Sequence, residues 1–254
     1  MRFLLTNDDG VHAPGIFALK QALEPLGEVF VVAPERPRSA QGHAITLHKP
    51  LRLTETLLSD GARAYASNGT PADCVTLGVQ EIMGDKVDYV FSGINHGPNL
   101  GWDVHYSGTV SAAFEAVMIG YRSAAFSVAS FERELHWDTA GCYAARIVRW
   151  LAENPLGPHT LLNINIPNEP CEKIQGTAIT RQGPRQYVDR IEKRADPAGR
   201  AYYWLGGTLA DHDAPAGTDV RAIADGYVSI TPLQLDLTEP RLLKELDALQ
   251  RSLV

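Results

Sequence analysis

A chain of 254 residues that is 44% hydrophobic, 21% charged and 8% aromatic has the make-up of an ordinary globular protein, long enough to bury a sizeable core. Its net charge of −7, from 30 acidic against 23 basic side chains, argues against a general coat for DNA or RNA but leaves room for local basic patches. The three cysteines, Cys74, Cys142 and Cys171, fit neither a disulfide framework nor CxxC zinc spacing, and no run approaches the roughly 18 apolar residues of a membrane span, so the expectation is a cytoplasmic protein with reduced thiols and no membrane partner.

The first half alternates strand-like and helix-like patterns. Phe3 to Thr6, "FLLT", is a short apolar run of the kind buried on both faces of a sheet. Pro14 then opens a helical pattern with Ile16, Leu19, Leu23 and Leu26 on one side, stopped by Gly27. "VFVVA" (Val29 to Ala33) and "VDYVFSG" (Val87 to Gly93) are further buried strands. "VSAAFEAVMIG" (Val110 to Gly120) reads as a short helix and "AAFSVAS" (Ala124 to Ser130) as a strand. A helix from about Trp137 to Glu153 carries Ala140, Ala144, Ile147, Val148 and Leu151 on one side, and "TLLNINIP" (Thr160 to Pro167) is a strand ended by its proline.

This alternation predicts an α/β fold with a doubly wound, mostly parallel sheet over residues 1–167. Residues 168–254 lose the rhythm and read as a C-terminal extension that packs on the core or on another subunit. It contains the strand-like pieces "GTAITRQG", "AYYWLGG" and "YVSITPLQLDLT", a hairpin in "DRIEKRADPAGRAYYW" turning at "DPAG", and a helix near Arg241 to Leu253.

Ligands of doubly wound sheets bind at the carboxyl ends of strands, where the strand order reverses. The loop after "FLLT" is "NDDG", with Asp8 and Asp9 adjacent. Two carboxylates so close repel, and a shared proton or a cation relieves the repulsion; an oxygen-rich site suits Mg²⁺ or Mn²⁺ rather than zinc. A polar turn feeding a helix accounts for the dipeptide equally well. The loop after "VFVVA" places Ser39 among Arg36, Arg38, Gln41, Gly42 and His43, a set that suits an anionic substrate and that is otherwise a surface loop. The third loop, "SGINHGPNLGWDVHYSGTVSAA", holds Asn95, Asn99, Asp103, Ser107, Gly108 and Thr109. Its Ser-Gly-Thr sits at an expected helix start, where unpaired N–H groups favour phosphate, although helix capping, taken alone, is the better explanation of Ser107 and Thr109. His43, His96 and His105 lack HxxxH or HExxH spacing, and GxSxG, GxxxxGK[ST] and GxGxxG are all missing, which weighs against zinc, hydrolase-triad, P-loop and dinucleotide sites.

Taken together and in order, "TNDDG", "VVAPERPRSAQGHAIT", "NGTPADCV", "SGINHGPNLGWDVHYSGTVSAAFEA", "LNINIP", "TRQGPRQY", "YYWLGG" and "DGYVSITPL" resemble the SurE family of survival-protein-E nucleotidases, over the chain to about residue 233. The resemblance implies a Rossmann-like core and a divalent-metal-dependent phosphatase of nucleoside 5′- and 3′-monophosphates. It also implies one Mg²⁺ or Mn²⁺ per subunit held by Asp8, Asp9, Ser39 and Asn95, with phosphate contacts from Asn99 and Ser107-Gly108-Thr109. A homodimer or homotetramer that exchanges C-terminal segments follows from the same likeness. The expected chemistry is hydrolysis by a metal-activated water, with Asp8 or Asp9 also open to a role as base or nucleophile. A haloacid-dehalogenase-like aspartyl-phosphate route fits less well, because those proteins carry DxD and here the aspartates are adjacent. A non-catalytic receiver-like binding module, or a structural oligomer that merely binds ions, leaves the ligand types in three loops unexplained.

Overall fold

The computed structural model describes residues 1–157, 159–185, 187–188, 191–206, 208–209 and 214–252. Of the segments singled out in the sequence, Gln186, Asp189, Arg190, Gly207 and Leu253 lie outside these residues.

The chain begins with β1 (Arg2–Thr6), α1 (Pro14–Leu23), β2 (Glu28–Pro34), β3 (Leu53–Leu57), β4 (Arg63–Ser67) and α2 (Pro71–Leu77). It continues through β5 (Tyr89–His96), α3 (Gly108–Met118), β6 (Arg122–Val128), α4 (Trp137–Glu153), β7 (Thr160–Ile166) and β8 (Gly176–Ile179). Two short antiparallel pairs follow: β9 (Tyr187–Val188) with β12 (Thr208–Leu209), and the hairpin β10 (Ile191–Ala195) with β11 (Ala201–Leu205). The described chain ends with α5 (Asp219–Ala224), β13 (Tyr227–Gln234) and α6 (Pro240–Ser252).

Nine strands form one sheet in the order β3-β4-β2-β1-β5-β6-β7-β13-β8. From β4 to β7 every neighbour is parallel; β3 on β4 and β13 on β7 are antiparallel. The α/β expectation is met, because strands such as "FLLT" are apolar on both sides and each side has its own layer of helices. Phe3 and Leu5 point into a core shared with Ile16, Leu19 and Leu23 of α1 and with Ala140, Ala144 and Val148 of α4. Leu4, between them, packs on the opposite face with Val75 of α2 and Ala112 and Ala116 of α3.

Four details differ from the sequence reading. The α-helical part of α1 stops at Leu23, and Leu26 lies on a 3₁₀ turn (Glu24–Leu26), because Pro25 has no N–H to continue the ladder. Helix α3 starts at Gly108 rather than Val110, with Ser107 as its N-cap. The β3–β4 hairpin, absent from the sequence reading, extends one edge of the sheet. Past Pro167, β13 and β8 join the other edge. Pro232 falls where β8 has already ended, so its missing N–H breaks no rung on that side. Among the described residues no helix is long and apolar enough to cross a membrane.

Candidate active site

Strand order reverses at β1: the chain goes from β1 to β2 on one side and later returns to β5 on the other. The loops leaving the carboxyl ends of β1, β2 and β5 therefore meet over one crevice, which is where Asp8, Ser39 and Asn95 sit in sequence.

Asn7 opens the first loop with an Asx-type turn. Its side-chain oxygen accepts the Gly10 N–H at 3.1 Å and its amide donates to the Gly10 carbonyl at 2.9 Å. Gly10 has φ +105°, a conformation that glycine adopts without strain. This tight turn carries Asp8 inward, to 4% exposure, and leaves Asp9 half-buried.

Asp8 is held from two sides. The Thr109 hydroxyl donates to its Oδ1 and the Gly108 N–H also bonds the carboxylate, while the Asp8 carbonyl accepts the Arg38 N–H at 2.7 Å. The start of α3 presses directly on this side chain. A Cβ placed on Gly108 would lie 2.7 Å from Asp8 Cβ and 2.9 Å from Oδ2, so only glycine fits. The second carboxylate, Asp9, accepts the His96 N–H on Oδ2 at 3.0 Å.

Burial pushes the Asp8 carboxyl up to about 6; the Thr109 hydrogen bond opposes the rise and the neighbouring Asp9 charge adds to it. Burial raises Asp9 as well, against the pull of the His96 amide and ring. Among the described residues neither carboxylate has a Lys or Arg ion-pair partner.

The other two expected ligands arrive beside this pair through their neighbours. Ser39 follows Arg38, whose amide is bonded to Asp8; its side chain is exposed and makes no hydrogen bond among the described residues. Asn95 precedes His96, whose amide is bonded to Asp9. The Asn95 amide nitrogen donates to the Gly97 carbonyl at 2.8 Å, so Oδ1 is the atom left for a ligand. The fit to a hard cation rests on two carboxylates raised by burial and, among the described residues, without a Lys or Arg partner, with a hydroxyl and an amide oxygen on the residues next to Arg38 and His96, whose amides bond Asp8 and Asp9. That is an oxygen-only set of the kind Mg²⁺ or Mn²⁺ takes. Among the described residues no three His, Cys, Asp or Glu side chains cluster as metal ligands.

The remaining expected site residues take distinct places. The Ser107 hydroxyl accepts the Val110 N–H at 3.0 Å as the α3 cap, while Thr109 turns to Asp8. Asn99 is buried and fastened on three sides: its N–H to Asn165 Oδ1 at 2.8 Å, its side-chain nitrogen to Ser127 Oγ at 2.8 Å, and its carbonyl to the side-chain nitrogens of Asn163 and Asn165 at 2.8 and 2.9 Å. The sequence reading passed over Asn163 and Asn165. Their signal was present in "TLLNINIP", two amides at period two within an otherwise apolar strand.

The loop bearing Ser39 is tied down along its length. Gly42 N–H bonds the Tyr106 carbonyl at 3.1 Å, His43 Nε2 lies 2.8 Å from Glu115 Oε2, and Thr46 N–H bonds Asp73 Oδ1 at 3.0 Å. Arg38 sends Nη2 to the Asn68 carbonyl at 2.9 Å.

Comparison with known proteins agrees with this architecture. The family model for survival protein SurE matches residues 3–189. The 5′-nucleotidase SurE of Geobacter metallireducens is 50% identical over 239 residues, covering 94% of this chain and 93% of that protein. The 5′-nucleotidase SurE of Pelobacter propionicus is 50% identical over 238 residues, covering 94% and 95%. The crystal structure of the SurE protein from Aquifex aeolicus superposes with a TM-score of 0.88 at 43% identity, covering 98% of this chain and all of that one. A family model matched over residues 3–189 and relatives 50% identical over nearly the whole chain show that the chain belongs to the survival protein SurE family.

Proposed function

We propose that this protein is a 5′-nucleotidase: a phosphomonoesterase that hydrolyses nucleoside 5′-monophosphates, and 3′-monophosphates as well, to nucleoside and phosphate. The observation that carries the reading is the carboxylate pair at the switch point of the sheet, with no Lys or Arg partner among the described residues: Asp8 against the start of α3 and Asp9 on the His96 amide. The names of the relatives, 5′-nucleotidase SurE, point to the same substrate class.

In this reading Asp8, Asp9, Ser39 and Asn95 hold one Mg²⁺ or Mn²⁺ per subunit. When bound, that cation supplies Lewis-acid polarisation of the phosphoryl group and makes a water more acidic. The protein's own contribution is placement. Thr109 and Gly108 fix the Asp8 carboxylate, and the His96 amide fixes Asp9, so neither has to reorganise as the reaction proceeds. The phosphate seat in this reading is the N-terminal turn of α3 with the Asn99 segment, where the positive end of the helix favours the anion. In the metal-free protein the Asp8 carboxyl sits near 6, so taking up the cation would displace a proton from it around that pH.

Self-association into a dimer or tetramer is part of the same proposal. It is supported by apolar surface on the hairpin, at Ile191, Tyr203, Trp204 and Leu205, and on α6, at Leu242, Leu243, Leu246 and Leu249. Cytoplasmic residence is supported by three cysteines that form no disulfide. The test is phosphate release from a panel of nucleoside 5′- and 3′-monophosphates, with EDTA present and then with each metal restored. Metal-dependent release is expected; no release from any nucleotide under any divalent cation defeats the reading.

A further inference from the structure

The loop joining β5 to α3 is fastened from outside the crevice. At its middle, the Gly101 N–H donates to Asp219 Oδ2 at 2.7 Å, and the Gly101 carbonyl accepts Gln182 Nε2 at 2.9 Å. The other Asp219 oxygen, Oδ1, accepts the N–H of Gly183 at 2.8 Å and of Val220 at 2.9 Å. Two residues along the loop, Asp103 pairs with Arg185 Nη1 at 2.5 Å. Three side chains from the second half of the chain, Gln182, Arg185 and Asp219, thus grip Gly101 and Asp103 of the site loop.

Asp219 has no accessible surface and, among the described residues, no ion-pair partner. Its charge is met by backbone amides. Burial pushes the carboxyl up and the Gly101, Gly183 and Val220 amides pull it back. Sinking a carboxylate in this way is costly, and the short helix α5 does not need it, since Thr218 already caps α5 by accepting the Arg221 N–H. Gly101 itself has φ +52°, and a Cβ there would lie 2.3 Å from the Gly183 carbonyl oxygen, so two backbones touch with nothing between them. Both Asp219 oxygens act as acceptors. An amide side chain at this position would set its NH₂ against one of those N–H donors.

Elsewhere along this loop the Tyr106 carbonyl accepts the Gly42 N–H at 3.1 Å. Asn99 is locked to Ser127, Asn163 and Asn165 at one end, and Ser107 leads into Gly108 and Thr109, which bear on Asp8, at the other. We propose that Asp219 is a positioning residue for the active site: by holding the Gly101 and Gly183 amides on its two oxygens, it fixes the loop that delivers Gly108 and Thr109 to Asp8. The inference rests on the phosphomonoesterase reading, and Asp219 lies beyond residue 189, where the family match ends.

The test uses the full chain with Asp219→Asn, Asp219→Ala and Gln182→Ala, and with Asp225→Asn as a control on the exposed Arg221 pair of α5. Turnover of a nucleoside 5′-monophosphate with Mn²⁺ is measured well below each variant's own melting temperature, with amide hydrogen exchange read in parallel by mass spectrometry. In Asp219→Asn, kcat is expected to fall on the order of 10- to 100-fold with little change in KM, the scale of a small misplacement of catalytic groups. Peptides over residues 99–107 lose protection while those in β1 and β5 keep it. Gln182→Ala moves kcat the same way by a smaller factor, and it carries the test if the Asp219 variants fail to fold. Asp225→Asn matches wild type. A role confined to stability lowers the melting temperature and leaves kcat of the folded enzyme unchanged. That result, or unaltered protection over 99–107, overturns the proposal. A wild-type protein that releases no phosphate defeats the phosphatase reading instead, and the exchange measurement then decides whether the clamp exists.

Discussion

Replacing Gly108 by alanine separates activity from stability more sharply than any other single change in the crevice. The added methyl would stand 2.7 Å from Asp8 Cβ, 3.1 Å from Cγ and 2.9 Å from Oδ2. Restoring ordinary contact at about 3.4 Å requires the start of α3 and Asp8 to part by roughly 0.7 Å. Asp8 cannot swing aside, because it is 4% exposed and bonded to Thr109. The overpacking costs about 1–3 kcal/mol, while alanine in place of glycine in a helix returns up to about 1 kcal/mol. Net destabilisation is therefore expected to lie between about 0 and 3 kcal/mol, and the protein stays folded. A displacement of this size at catalytic groups costs on the order of 100-fold in kcat. Urea unfolding gives the first quantity and phosphate release from a nucleoside 5′-monophosphate gives the second. Wild-type kcat in a folded Gly108→Ala protein would refute the assignment of the α3 start as part of the site.

Three other outcomes follow from the same geometry. The Asp8 carboxyl sits near 6 in the folded chain against 3.8 ordinarily, so between about pH 4 and 6 the native state holds a proton that the unfolded state has lost. Metal-free stability therefore falls as pH rises through that window, by up to about 3 kcal/mol, and Asp8→Asn is expected to raise the melting temperature at pH 7.5 but not at pH 4. An Asp8→Asn protein no more stable than wild type at pH 7.5 would contradict this. Saturating Mn²⁺ at 100 times its Kd contributes about 2.7 kcal/mol, or about 5 to 10 °C in Tm for a chain of this size, and EDTA removes it; an unchanged melting curve argues against a cation in the crevice. Asp9→Asn is expected to keep the fold and lose most metal-dependent phosphate release, and full turnover at the wild-type metal requirement would remove Asp9 from the ligand set.

Where the sequence was legible, the physics was local. Helix α4 matches its expected range because its apolar residues keep a strict helical period against one face of the sheet. The crevice could be placed from sequence because "FLLT", "VFVVA" and "VDYVF" are apolar on both sides, which only a covered parallel sheet accommodates. What could not be read depends on contacts between distant segments. Ser107 and Thr109 are chemically similar and two residues apart, yet one caps a helix and the other binds Asp8; the helix phase decides, and no local pattern reveals it. The β3–β4 hairpin was passed over because an edge hairpin with exposed positions lacks the continuous apolar run of the central strands. The Asp219 link spans 118 residues and has no local signature at either end.

The central claim is that adjacent aspartates at the end of β1 hold one divalent cation. Electron paramagnetic resonance of free against bound Mn²⁺, titrated into metal-free wild type and into the Asp8→Asn/Asp9→Asn double variant, tests it without reference to turnover. One Mn²⁺ per chain in the wild type, and none at the same concentrations in the folded double variant, is the predicted result. Equal binding by both proteins would contradict the account.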